Sequence, residues 1–147
     1  TLLYMLDGLY PAEHQEGNVI RFLSFGDDWA SSLFMSQDPV AIDSVGLDFL
    51  RNEPRAPRVR GNPDNYLHEA ALATKPPSGT VYDPEQDNQP LASLGVHEHW
   101  NNPTDKQYSR NLGKGEGIEL VRWKTPSKVP VAEAVMCNRP AVNSYED

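Results

Sequence analysis

The chain has 147 residues, which suits one domain or part of one and is enough to bury a hydrophobic core. Its 21 acidic residues outnumber its 13 basic residues, and the net charge of -8 argues against nucleic acid as a partner, because phosphate binding relies on clustered lysine and arginine. No apolar run approaches the ~20 residues of a membrane-spanning helix, and the single cysteine excludes a disulfide within the chain.

Four segments are expected to form strands. Residues 2–6 (LLYML) are a continuous apolar run that ends at a turn signal, and residues 19–25 (VIRFLSF) are similarly apolar. Residues 94–100 are expected to form a short strand, and residues 118–123 (IELVRW) alternate in the manner of a half-buried one.

The clearest helix is predicted from Pro39 to about Asn52. Asp38 is placed to cap it, and Pro39 occupies the first helical position, where a missing N–H costs nothing. Pro54 prevents its continuation. Apolar residues cover most of the circumference, so we expect this helix to be buried on more than one side.

A second helix is predicted from the same kind of signal. Asn62 is expected to cap it, Pro63 takes the first position, and the helix should extend to about Thr74. The long proline-rich stretch 75–92 that follows is expected to be a loop.

The predicted fold class is α/β, mixed α and β: a small sheet of about four strands with two main helices and long loops. A single domain is expected over residues 1–123, followed by an extended C-terminal tail over residues 124–147. Thr1 stands where an initiating Met would be, and an apolar run begins directly after it. We therefore expect an N-terminal part of the same protein to precede this sequence and to be a partner of it.

Asp43 is the first candidate for a functional acid. On a helical wheel it falls between Leu47 and Leu50, whereas Ser44 and Asp48 mark the polar strip. A carboxylate in an apolar setting must be hydrogen-bonded, paired or bound to a cation, so Asp43 is predicted to be catalytic or to bind a metal. The alternatives are a structural hydrogen bond and simple exposure to solvent. Asp38 is the second catalytic candidate, although its capping role alone would explain it.

His97 and His99 are candidate metal ligands. On a strand, residues two apart share a face, so both imidazoles could reach one ion. Two imidazoles and a carboxylate suit zinc or non-haem iron. The third ligand would come from Asp7, Asp43 or the loop with Asp83 and Asp87, and the alternative is a hydrogen-bonded structural pair or a pair that contacts substrate.

A cluster of aromatic, amide and charged residues follows these histidines. Such groups are typical of sites that hold a sugar, and a pair of carboxylates could supply the acid and base for cleaving a glycosidic bond. The alternative is that the tryptophan fills the core and the amides cap turns. The candidate substrate-binding residues are His97, Glu98, Trp100, Asn101, Asn102, Tyr108 and Arg110.

Other chemistries lack their motifs. Residues 113–117 (GKGEG) have neither the Ser or Thr nor the following helix of a phosphate-binding loop, so no nucleotide is expected. The Gly-x-Ser-x-Gly motif of hydrolases is absent. Cys137 lies in the unpatterned tail, which argues against a cysteine nucleophile.

A family resemblance rests on four segments: FMSQDPVAIDSVGLDFL (34–50), SLGVHEHWNN (93–102), QYSRNLG (107–113) and GIELV (117–121). They resemble the family called domain of unknown function 362, over roughly residues 1–123, in the C-terminal part of that domain. The His-Glu-His-Trp-Asn-Asn form is similar to a secreted bacterial branch found among glycan-degrading organisms. The resemblance implies a longer domain and a secreted or periplasmic location, and it marks Asp38 and Asp43 as positions of interest without assigning them a role.

Some members of that family carry cysteine motifs for iron–sulfur clusters, and the single cysteine here implies that no such cluster is bound. Three functions therefore stay open. The first is a carbohydrate-active enzyme that hydrolyses a polysaccharide or oligosaccharide with acidic residues. The second is a non-catalytic metal- or ligand-binding module that uses His97, His99 and Asp43 around a divalent metal. The third is a structural subunit of a larger assembly.

Overall fold

A computed structural model describes residues 3–56, 59, 62–72, 76–90, 93–111 and 116–124, together with the backbone of 133–138. This part of the chain has mixed α and β content with two helices, as expected. In chain order the elements are β1 (Tyr4–Gly8), β2 (Ser32–Ser36), α1 (Pro39–Asn52), α2 (Asn65–Ala71), β3 (Glu119–Lys124) and β4 (Glu133–Asn138).

The strands form one sheet in the order β1-β2-β4-β3. β1 runs antiparallel to β2, with Leu6 opposite Phe34. β4 lies parallel to β2, with Phe34 opposite Val135, and β3 runs antiparallel to β4. The last strand of the described chain is therefore an inner strand of the sheet.

Helix α1 covers one face of this sheet. Phe34 of β2 is 3 % exposed and points toward α1, where Val45 is fully buried. Gly46 lets the helix approach β1 closely, because a Cβ at this position would overlap Leu6. The other buried members of this main core are Ala41, Ile42, Trp100, Tyr108 and Ile118.

Helix α1 begins and ends where the sequence predicts. Asp38 caps it, since its Oδ1 accepts hydrogen bonds from the amides of Val40 and Ala41 at 2.9 Å each. Helix α2 is shorter than expected. It begins at Asn65 rather than near Pro63, and Asp64 at the capping position makes no capping hydrogen bond with its side chain, which is engaged elsewhere.

Two of the expected strands are wrong. Within 19–25 the chain turns back through a short 3₁₀ helix, Leu23–Phe25, and forms only isolated pairs with its own loop, such as Phe22 with Asp28. The segment 94–100 has an isolated pair at Trp100 but no strand. The backbone amides of this segment donate to carboxylates of α1 and its cap instead of to a neighbouring strand. Asp38 accepts a hydrogen bond from the amide of Val96, and Asp48 accepts one from the amide of Trp100.

Two strands were not expected at their positions. β2 (32–36) lies in a stretch that sequence analysis left unassigned, and β4 lies in the predicted tail. Residues 133–138 are paired on both sides in the sheet, so the extended-tail prediction is wrong for them. Residues 125–132 and 139–147, and most of the glycine-rich stretch 113–117, lie outside the described residues. No helix in the described part is long and apolar enough to cross a membrane.

Candidate metal centre

The inner polar strip of α1 forms the base of the site. Ser44 and Asp48, one helical turn apart, are 0 % and 3 % exposed and face the segment 96–100. Asp43 is exposed on another side of the helix. The helix contacts both the sheet and the 96–100 segment, and the second contact buries the polar strip of Ser44 and Asp48 while Asp43 stays exposed.

Asp48 determines the orientation of the His99 ring and which of its nitrogens carries the proton. Its Oδ1 lies 2.7 Å from Nδ1 of His99, while Oδ2 accepts the Trp100 amide at 3.1 Å. Burial raises the pKa of the Asp48 carboxyl, and hydrogen bonds from His99, Trp100 and Tyr108 partly counteract this rise. Because the carboxylate can only accept, Nδ1 of His99 carries a proton, and neutral His99 presents a lone pair at Nε2.

Ser44 likewise determines the orientation of the His97 ring and which of its nitrogens carries the proton. The Ser44 hydroxyl donates its only hydrogen to the carbonyl of Val40 at 2.7 Å, so it accepts from Nδ1 of His97, also at 2.7 Å. Burial, together with the neighbouring His68 and His99 rings, lowers the pKa of His97 to about 4. His97 is therefore neutral at pH 7, with a proton on Nδ1 and a lone pair on Nε2.

Asp64 brings a carboxylate oxygen to these two lone pairs. Arg51 donates to Oδ2 of Asp64 at 2.5 Å. The other oxygen, Oδ1, lies 3.3 Å from Nε2 of His99 and 3.8 Å from Nε2 of His97. The three atoms lie within 4.8 Å of one another. Neither Oδ1 of Asp64 nor Nε2 of His97 has a hydrogen-bond partner, although both are buried.

Three acceptor atoms thus converge with no donor among them when His99 is neutral. Protonation of His99 would place an imidazolium between Asp48 and Asp64, but it would leave Nε2 of His97 buried and unpaired, which is costly. A cation satisfies all three acceptors. Bonds of about 2.0–2.1 Å at tetrahedral angles place ligand atoms about 3.3 Å apart, close to the separations around Oδ1 of Asp64.

The third ligand was missed by sequence analysis. Of the carboxylates proposed, Asp43 and Asp7 line a separate apolar cavity of about 480 Å³, whose walls include Phe22 and Phe25. Partial desolvation beside this cavity raises the pKa of the Asp43 carboxyl, although the residue is exposed. Asp83 instead accepts hydrogen bonds from the amides of its own loop. The sequence feature that could have indicated Asp64 as a ligand is its position four residues before His68, at the start of a helix.

The two predicted acids beside the histidines have structural roles. Asp38 is 1 % exposed and uses both oxygens, on the α1 amides and on Val96. Glu98 is 7 % exposed, with Oε1 on the amide of Ile118 and Oε2 on the amide of Arg110. All four carboxylate oxygens accept hydrogen bonds from the protein itself, so these contacts give no support to Asp38 as a catalytic residue or to Glu98 as a substrate-binding residue.

The aromatic and amide residues predicted to hold a sugar are also engaged within the protein. Trp100 and Tyr108 belong to the main core, and Trp100 packs edge-on against Phe49. The side-chain oxygens of Asn101 and Asn102 accept amides of their own loop. Arg110 is exposed and is placed by its backbone bond to Glu98. The indole face of Trp100 is therefore covered rather than free to stack on a ring.

In three comparisons with known proteins, the chain matches no family model, no curated protein and no solved structure. The resemblance to the domain of unknown function 362 stays a prediction.

Proposed function

We propose that this protein is a metal-binding module that holds one divalent transition-metal ion, best matched by Zn²⁺, between Asp64, His97 and His99. The observation that carries the proposal is the convergence of three acceptor atoms within 4.8 Å of one another. It retains the two histidines expected from the sequence and replaces Asp43 with Asp64.

The donor set selects the class of ion. Two imidazole nitrogens and one carboxylate oxygen suit Zn²⁺ or Fe²⁺, whereas Ca²⁺ and Mg²⁺ prefer oxygen ligands throughout. Hydrogen bonds from Nδ1 of each imidazole to Ser44 and to Asp48 are the kind of support that ligating histidines commonly have. Arg51 holds Oδ2 of Asp64 and leaves Oδ1 for the ion.

The test is a competition titration of Zn²⁺ against a chromophoric chelator, with metal content measured on the purified protein. We expect one ion per wild-type chain and loss of that ion in the double variant His97→Ala, His99→Ala. His14→Ala is the matched control, because His14 lies on a different loop beside Glu13. Equal Zn²⁺ affinity in the wild type and the double variant, or no binding by the wild type, would overturn the proposal.

Glycan hydrolysis, the secreted or periplasmic location and the role as a structural subunit stay predictions. Glycan hydrolysis has less support than metal binding, since the aromatic rings it needs are buried and Asp38 is fully engaged. A structural subunit would use the sheet face opposite α1, where Met5 and Trp123 are 59 % and 63 % exposed.

A further inference from the structure

Beyond these three ligands, we propose that His68 is the fourth ligand of the same ion, so that the site is a closed, structural His₃Asp centre rather than an open one that activates water. This inference rests on the proposed function. It concerns a residue that sequence analysis did not single out.

The position of His68 follows from α2. Its amide donates to the carbonyl of Asp64 at 2.8 Å, which closes the first helical turn and places both side chains on one face of the helix. That face is turned toward the 96–100 segment, because Asp64 contacts His99 and the His68 ring packs against the His97 ring. Three of the four histidines of the chain therefore lie together.

The ring contacts place His68 beside the proposed ion. The ring centroids of His97 and His99 are 4.9 Å apart, and those of His68 and His97 are 4.5 Å apart, with the planes nearly perpendicular in both pairs. With a Zn–N bond of about 2.0–2.1 Å, each ring centroid lies about 3.2 Å from the ion, so two imidazoles at a tetrahedral angle have centroids about 5.2 Å apart. Both observed spacings are shorter than this, and the atoms that lie within 4.8 Å of one another belong to Asp64, His97 and His99, so the His68 ring must turn to bring a nitrogen to the ion.

A closed site has a clear structural task in this fold. The only buried residue of α2 is Leu67, which packs against Val40 and Leu47 of α1. An ion bound by Asp64 and His68 on one side and by His97 and His99 on the other would join this short helix to the segment beside α1. Four protein ligands leave no position for an exchangeable water, as in structural zinc sites.

Cobalt substitution tests the coordination number directly. Co²⁺ absorbs strongly in the visible range when it is four-coordinate and weakly when water raises its coordination number. We expect the wild type to show the strong spectrum at one Co²⁺ per chain. In His68→Ala the spectrum should weaken and the affinity fall at least about tenfold, while His14→Ala should match the wild type. Added imidazole should restore the strong spectrum in His68→Ala, which a purely structural effect of the substitution would not produce.

The outcomes separate this inference from the function it rests on. If the wild type and His68→Ala bind Co²⁺ with the same spectrum and affinity, His68 is not a ligand and the three-residue site stands. If the wild type binds no Co²⁺, both proposals fail. Far-UV circular dichroism of the metal-free proteins checks that His68→Ala retains its fold.

Discussion

Replacing Asp48 by Asn should weaken metal binding about 10–100-fold although Asp48 is not itself a ligand. In the wild type, Oδ2 of Asp48 accepts the Trp100 amide and Oδ1 accepts Nδ1–H of His99. An asparagine must keep its oxygen on the Trp100 amide, because two facing donors would repel. Its NH₂ then faces Nδ1 of His99 and donates to it.

The Asp48→Asn substitution therefore moves the imidazole proton of His99 from Nδ1 to Nε2. With Nδ1 accepting, neutral His99 carries its proton on Nε2, which lies 3.3 Å from Oδ1 of Asp64. The N–H then occupies the space where the ion would bind and hydrogen-bonds the carboxylate. Loss of such an outer hydrogen bond typically weakens metal binding 10–100-fold, or by about 1.4–2.7 kcal/mol.

Two measurements check this chain of reasoning. Zn²⁺ competition titrations at pH 7 should show the 10–100-fold loss for Asp48→Asn and no loss for Asp43→Asn, an exposed acid on the same helix. Imidazole ¹⁵N shifts of the metal-free variant should report a proton on Nε2 of His99. Unchanged affinity would refute the argument. So would weakened affinity with the proton still on Nδ1, because the loss would then have another cause.

Three further results are expected. Glu53→Gln should lower the free energy of unfolding by about 1–3 kcal/mol, because this buried carboxylate accepts the amide and the hydroxyl of Ser24. Burial raises the pKa of the Glu53 carboxyl, but its hydrogen bonds outweigh burial and hold the pKa below the ordinary 4.5. The stabilisation by Glu53 is therefore present at neutral pH and is lost as the pH falls through the folded-state pKa. The free energies of urea unfolding of the wild type and the variant should converge in acid, and a constant difference would contradict this. Gly95→Ala should destabilise by about 1–3 kcal/mol in the same assay, since a Cβ there would overlap the Asp38 carboxylate, and an unchanged midpoint would show that the segment yields freely. Chelation should remove about 2.7 kcal/mol from protein held at 100 times the Kd of its metal, seen as a lower Tm, whereas the His97→Ala, His99→Ala variant should not respond; equal responses would exclude this site as the cause.

The sequence predicts elements that depend on local chemistry. The Asp38-Pro39 pair determines the start of α1 because a cap acts on amides two and three residues away. β4 depends on pairing with β2, which is distant in the chain, and with β3, so its own short sequence does not indicate it.

The candidate site divides in the same way. His97 and His99 are readable as a pair because they are two residues apart. Asp64 joins them only because α2 packs beside α1, a contact that a helical wheel does not contain. A different contact, between α1 and the 96–100 segment, buries Asp48 and leaves Asp43 exposed, and a helical wheel does not contain this contact either.

The inner position of β4 affects when the sheet can form during synthesis and what cleavage of the chain would expose. Residues 133–138 form an inner strand, so a ribosome must release this segment before β3 can join β1 and β2 in one sheet. Parallel pairing of β2 with β4 closes about 100 residues of chain and is expected to form late. Cleavage after Lys124 followed by loss of β4 would separate β3 from the β1–β2 pair and expose two unpaired edges, which favour aggregation.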